Sequence, residues 1–248
     1  MLRHHPTRQY RPFKIFSDED SAIWSALYRR QWDQAQRYAS RLWLDGIGRL
    51  GLTPDRIPDF AALSANLQDL TGWRLVSTDV QYSSGQDWFE ALARKEFLIT
   101  EYIRSEDQLD YTPLPDIFHD AFGHLPFMAH QRYADYIHQF ALTAIQYAPE
   151  ERRSFGSLWW YTVEFGLLRE YGALKALGAG LMSSVAELQR VFDGHVTLQL
   201  YTLEAFEALS PSPHEFHNTL FILDSFDQLE QAIEDWTRAH PPHEPVSS

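Results

Sequence analysis

The sequence predicts a mostly α fold with small β pieces, folded as a single domain. Three observations predict it. Apolar residues recur at three and four spacing along most of the chain, whereas runs of period two are few. The third is size: 248 residues that are 44% apolar and 15% aromatic can bury a sizeable core without dividing.

In chain order, residues 1–15 read as an N-terminal extension, basic from Met1 to Phe13 but without the apolar segment of a signal peptide. The main body is placed at 16–239. Within Asp18 to Leu52, the positions Ile23, Trp24, Leu27, Tyr28, Trp32, Tyr38, Leu42 and Leu44 predict one long or two consecutive amphipathic helices, closed by Gly46 to Gly51. Arg74 to Tyr82 reads as extended. A short helix is expected to start near Asp116, after Pro115, and to end at His124, where Gly123 loosens the turn and Pro126 disfavours helix at Leu125. Further helices are expected over Ala129 to Ala148, Gly156 to Gly172, Leu181 to Phe192 and Ser225 to Ala239, with extended pieces at Thr197 to Tyr201 and Thr219 to Leu223. The tail, 240–248, carries Pro241, Pro242 and Pro245 and is expected to be disordered.

Composition narrows the function. The chain has no cysteine, so disulfides and cysteine-built metal sites are excluded. No run approaches the roughly 20 apolar residues of a membrane span. A formal charge of −13 opposes nucleic-acid binding, which requires Lys and Arg against phosphate. The expectation is a soluble, cytoplasmic protein.

The chemistry concentrates in two stretches, Pro115 to Pro126, which holds His119 and His124, and Trp160 to Gly166, which holds Glu164. Two imidazoles and one carboxylate are the three protein ligands of a facial site that leaves other positions of an octahedral ion open, a pattern typical of Fe(II) that activates dioxygen. Five-residue spacing opposes convergence within a regular helix, because at about 100° per residue the two rings would point roughly 140° apart. One histidine is therefore expected at a helix end. The zinc-protease pattern, with histidines four apart and a glutamate between, does not fit. Glu164 lies on an apolar stripe with Trp160, Tyr161, Leu167, Leu168 and Tyr171, and a carboxylate there needs a cation, a donor network or a metal. Residue types alone leave a second account open, in which Glu164 pairs with a buried arginine and the histidines are hydrogen-bonded interior residues.

From Asp18 to Trp236 the chain resembles the pterin-dependent aromatic amino acid hydroxylases, most closely the short bacterial phenylalanine 4-hydroxylases. The shared segments, in order, are Ile57 to Phe60, Thr71 to Trp73, Thr100 to Arg104, Tyr111 to Pro113, the histidine segment, Thr162 to Gly166, and Gly178 to Ser184. The resemblance implies a single catalytic domain of aromatic amino acid hydroxylase type, without the regulatory domain or the long C-terminal oligomerisation helix of animal members. It implies that His119, His124 and Glu164 bind Fe(II), and that a tetrahydropterin and O2 react there to hydroxylate an aromatic amino acid, phenylalanine to tyrosine. It places Arg104 on the substrate carboxylate, Thr112 and Ser183 at the polar end of the amino acid, and Trp160 beside its ring. On the pterin side it places Trp88 in stacking, with Phe89 as the alternative one register away, together with Asp120 and with Trp159, a position often tyrosine. The partners it implies are an aromatic amino acid and a reduced pterin, with no nucleic acid and no membrane, acting on a monomer or weak oligomer. Tryptophan as substrate, a different ring position, a metal-dependent hydrolase and a catalytically silent binding relative are the alternatives.

Overall fold

A computed structural model describes residues 11–80, 83–109, 114–209 and 216–241. The segment expected to be a disordered tail lies outside the described residues from 242 onward, as do residues 1–10 of the N-terminal extension. Among the described residues the architecture is mostly α with two small sheets.

The first helical stretch is two helices, α1 (Asp18–Tyr38) and α2 (Arg41–Leu50). Ser17 and Asp20 form a reciprocal capping box at the start of α1. The break at Ala39–Ser40 lets Ser40 cap α2, and Gly51 closes it in the left-handed conformation at φ 64°. Helix α3 (Phe60–Thr71), capped by Asp59, leads into β1 (Arg74–Thr78), and α4 (Gly85–Leu92) leads into β2 (Glu96–Thr100). Strands β1 and β2 pair in parallel, so α4 is the crossover between them. Every residue of β2 is buried, so the strand lacks the alternation that betrays a half-exposed one.

The largest difference from the sequence expectation concerns the two ligand segments. The helix begun at Ile117 does not end at His124. It runs as a π-helix over His119–His124 and continues directly into α5 (Leu125–Met128). The proline is accommodated because Trp43 Nε1 donates to Phe122 O at 2.9 Å, the carbonyl four residues before Pro126 that an α-helical N–H would otherwise satisfy. Helix α6 (Gln131–Ala144) follows.

Likewise the helix expected over Gly156 to Gly172 is α7 (Arg153–Trp159) continued by a π-helical turn, Trp160–Glu164, and it stops at the glutamate. Leu167 and Leu168, taken from periodicity as helical, start β3 (Leu167–Glu170), which forms a hairpin with β4 (Ala173–Ala176). Tyr171 and Gly172 turn the hairpin at positive φ, 50° and 80°, and Tyr171 is 90% exposed rather than on a buried stripe. The three-and-four spacing held for the helical part, but the leucines are buried because a sheet covers them.

Helices α8 (Ala179–Ser183) and α9 (Val185–Phe192) come next, then β5 (Thr197–Leu200), α10 (Leu203–Glu207), β6 (Thr219–Leu223) and α11 (Phe226–Ala239). The second sheet has the order β4-β3-β6-β5. One aromatic-rich core joins the elements, with Trp24, Trp43, Trp73 and Trp236 each fully buried. Among the described residues no helix is long and apolar enough to cross a membrane.

Candidate metal centre and active cavity

Both ligand segments adopt the i→i+5 hydrogen-bond pattern, and this solves the spacing problem. Leu125 N–H donates to Asp120 O, and Phe165 N–H donates to Trp160 O at 2.9 Å, each reaching back five residues. The wider winding of such a turn brings residues five apart onto one face, where in an α-helix they would diverge. His119 and His124 therefore converge in mid-helix, not at an end.

The result is a compact donor set. His119 Nε2 and His124 Nε2 are 3.1 Å apart, Glu164 Oε1 is 3.3 Å from His124 Nε2, and Glu164 Oε2 is 3.5 Å from His119 Nε2. An octahedral ion with bonds of about 2.1 Å requires neighbouring donors about 3 Å apart. The three side chains fit one face of such an ion. No arginine pairs with Glu164 among the described residues, so the alternative of a buried Arg–Glu pair is not what the chain builds.

The surroundings keep the donors in ligand form. Burial lowers the His119 pKa to about 4, which leaves its imidazole neutral with a lone pair. Burial works against the charge on Glu164, but His124, His119 and the Trp159 indole N–H together outweigh it and lower its pKa to about 2. His119 Nδ1 lies 2.8 Å from Ser183 Oγ, whose hydroxyl also faces Gly180 O at 3.3 Å. With Nε2 reserved for a metal, Nδ1–H donates to the serine and the ring cannot rotate away. Trp159 Nε1 donates to Glu164 Oε1 at 2.9 Å and plays the same part for the carboxylate. Neither of these supporting bonds was legible in the sequence, because each joins a residue to a ligand through space.

Close backbone contact sets the last coordinate. A Cβ on Gly178 would lie 2.2 Å from Glu164 O and 2.4 Å from Glu164 C, so only glycine allows the chain entering α8 to lie against the backbone of the glutamate. Gly123 meets Ala179 O in a similar approach, at 2.7 Å from its would-be Cβ. Gly178→Ala should therefore displace Glu164. A destabilisation of about 1–3 kcal/mol is expected, with weakened iron binding by titration and near-native circular dichroism.

The donors open onto a cavity of about 320 Å³, also lined by Trp88, Phe89, Arg104, Asp120, Trp159, Trp160 and Ser183. All residues assigned from the resemblance thus face one space, except Thr112, which lies outside the described residues. Arg104 is only 3% exposed, and Asp116 grips it in a fork, with Nε to Oδ2 at 2.8 Å and Nη2 to Oδ1 at 2.9 Å. Asp116 also accepts the backbone N–H of Arg104 and of His119. Burial opposes its charge, but Arg104 prevails and keeps its pKa below the ordinary carboxylate value. Asp120 accepts from Thr100 N and Thr100 Oγ1, both at 2.9 Å, while burial pushes its pKa up to about 7. Trp88 meets Phe97 and Trp159 edge-on, at centroid separations of 5.2 and 6.1 Å.

The sequence model of the biopterin-dependent aromatic amino acid hydroxylases matches residues 8–243. The chain belongs to this family. It is 37% identical over 227 residues to phenylalanine-4-hydroxylase of Mesorhizobium japonicum, covering 88% of this chain and 80% of that one. To the Chromobacterium violaceum phenylalanine-4-hydroxylase it is 34% identical over 220 residues, covering 88% and 74%. The crystal structure of the C. violaceum enzyme with bound iron(III) and oxidised cofactor 7,8-dihydrobiopterin superposes with a TM-score of 0.86 at 32% identity, over 96% of this chain and 90% of that one. Phenylalanine hydroxylase of Legionella pneumophila superposes at 0.83 with 29% identity, over 94% and 100%. As a member of the hydroxylase family, the chain has its metal donors, its buried arginine and its aromatic cavity wall in one place.

Proposed function

We propose that this chain is a non-haem Fe(II), tetrahydropterin-dependent monooxygenase that hydroxylates phenylalanine to tyrosine with O2. The observation that carries this reading is the triangle of His119, His124 and Glu164 donors, at 3.1 to 3.5 Å, set in the wall of a cavity shared with a buried arginine. Iron and a reduced pterin, when bound, supply the activation of dioxygen, chemistry that no side chain of the protein performs. The protein's own contribution is placement. Ser183 and Trp159 hold two of the three donors in position, and Arg104, preset by Asp116, offers a planar fork to an amino acid's carboxylate. Trp160 is the wall against which the substrate ring packs. Trp88, Asp120 and Trp159 form the pterin side of the cavity, with Phe89, which also lines it, as the alternative to Trp88. Holding the ring carbon toward the metal is an orientation effect, and small misplacements cost much rate.

Relatives named phenylalanine-4-hydroxylase support phenylalanine over tryptophan and the 4-position over others. We place the enzyme in the cytoplasm as a monomer or weak oligomer, a state that light scattering of the purified protein would check. The decisive experiment is anaerobic loading with Fe(II), followed by O2 uptake with a tetrahydropterin and each of phenylalanine, tyrosine and tryptophan. Uptake with phenylalanine and formation of tyrosine are expected. Turnover with Zn(II) and without reductant would replace this reading with a hydrolase. Iron retention without turnover of any aromatic amino acid would leave only a binding protein.

A further inference from the structure

Besides the Arg104–Asp116 and Asp120–Thr100 pairs, a third set of polar groups reaches the cavity wall. Trp160 Nε1 lies 2.6 Å from His217 Nε2, and His217 Nδ1 lies 3.0 Å from Glu187 Oε1. His217 and Glu187 are 8% and 3% exposed. The three residues come from separate elements: Trp160 from the π turn that ends at Glu164, Glu187 from α9, and His217 from the segment just before β6. All three line the active cavity.

The directions of these bonds are determined by chemistry. An indole N–H can only donate, so His217 Nε2 must accept and carries no proton. The proton therefore sits on Nδ1 and points at Glu187, whose carboxylate oxygen accepts it. A carboxylate on one ring nitrogen selects the tautomer, and the tautomer selects what the other nitrogen can do. The imidazole also lies 4.0 Å from the Phe165 ring, centroid to centroid, which limits its tilt.

We infer that Glu187, His217 and Trp160 form a positioning relay: the carboxylate sets the imidazole, and the imidazole fixes the indole plane that shapes the wall where the substrate ring lies. His217 and Glu187 are thus positioning residues that act on ring placement through Trp160. The inference rests on the hydroxylase reading for its kinetic consequence, but not for the bond order.

Two variants and one spectrum test it. His217→Leu removes both bonds, whereas His217→Gln keeps both, since the amide oxygen accepts from the indole and the amide nitrogen donates to Glu187. His217→Leu should raise KM for phenylalanine about tenfold and lower the tyrosine formed per pterin oxidised, with a smaller effect on kcat. His217→Gln should restore both values to within about twofold of the parent chain. A folded His217→Leu variant with unchanged KM and coupling would overturn the relay, as would a His217→Gln variant equally impaired. In 15N spectra of the Zn(II)-loaded protein, His217 should show a protonated Nδ1 and a bare Nε2. A proton on Nε2 would refute the bond order even if both variants were insoluble. If the parent chain fails to turn over phenylalanine, the functional reading falls, and the spectrum alone then decides the relay.

Discussion

Replacing Glu164 with alanine should abolish iron retention and turnover together, with turnover falling by more than about 100-fold. Loss of a group that merely orients a ligand typically costs 10–100-fold, and this change removes a donor itself. Imidazole ligands bind a metal as uncharged donors, so the two that remain cannot offset a divalent charge. The variant should still fold but at some cost in stability, because it leaves the buried Trp159 Nε1–H without its acceptor. Thermal melts separate the two effects. Added Fe(II) should raise the melting temperature of the parent chain, since an ion that binds only the folded state stabilises it, and should leave that of the variant unchanged. Turnover near the parent rate in Glu164→Ala, with bound iron, would refute the ligand set.

The second large effect is expected at the Arg104–Asp116 pair. Asp116 is fully buried, and each of its oxygens serves two donors: Oδ2 takes Arg104 Nε and Arg104 N, and Oδ1 takes Arg104 Nη2 and His119 N. Asp116→Ala strands a buried guanidinium and frees the backbone at the first histidine. Breaking a buried pair by removing one partner costs about 3–5 kcal/mol, so chemical denaturation should show a loss of that order. Arg104→Lys is the companion variant. An ammonium cannot span both oxygens of a carboxylate, and the change should raise KM for phenylalanine about tenfold or more while charge is retained. Saturation with substrate as in the parent chain would mean that Arg104 serves only the fold. The aspartate is thus predicted to matter for stability first, the arginine for both.

How far the sequence reached depends on the range of the interactions concerned. Helices α1, α2 and α11 were legible from apolar spacing over Asp18 to Leu52 and Ser225 to Ala239, with Gly51 where α2 ends, whereas α3 and α4 were not. Strand β6 was legible at Thr219–Leu223, next to the start of α11. Strands β2, β3 and β4 were not. The β2 strand is buried along its whole length, and the leucines of β3 happen to continue a helical spacing, so local pattern pointed elsewhere. The π-helical turns escaped notice for a similar reason. Nothing local distinguishes them, and their altered winding is stabilised by distant partners, such as Trp43 on the carbonyl of Phe122 and the chain at Gly178 against Glu164.

The sequence by itself determined the chemistry available to this protein: which three side chains can ligate a metal, that no thiol can, and that an arginine and several aromatics belong to the same motifs. These are properties of residue type and order, which survive without coordinates. Only the tertiary structure decided that the three donors meet, with both histidines in mid-helix and Glu164 at a helix end. It also decided that Asp116 holds Arg104, that Ser183 and Trp159 steady the metal donors, and that the His217–Glu187 pair reaches Trp160 in the cavity wall. Those are contacts between residues 5 to 64 positions apart, with donor distances of 2.6 to 3.5 Å, and such distances depend on how whole elements pack. Local propensity carries no information on that scale.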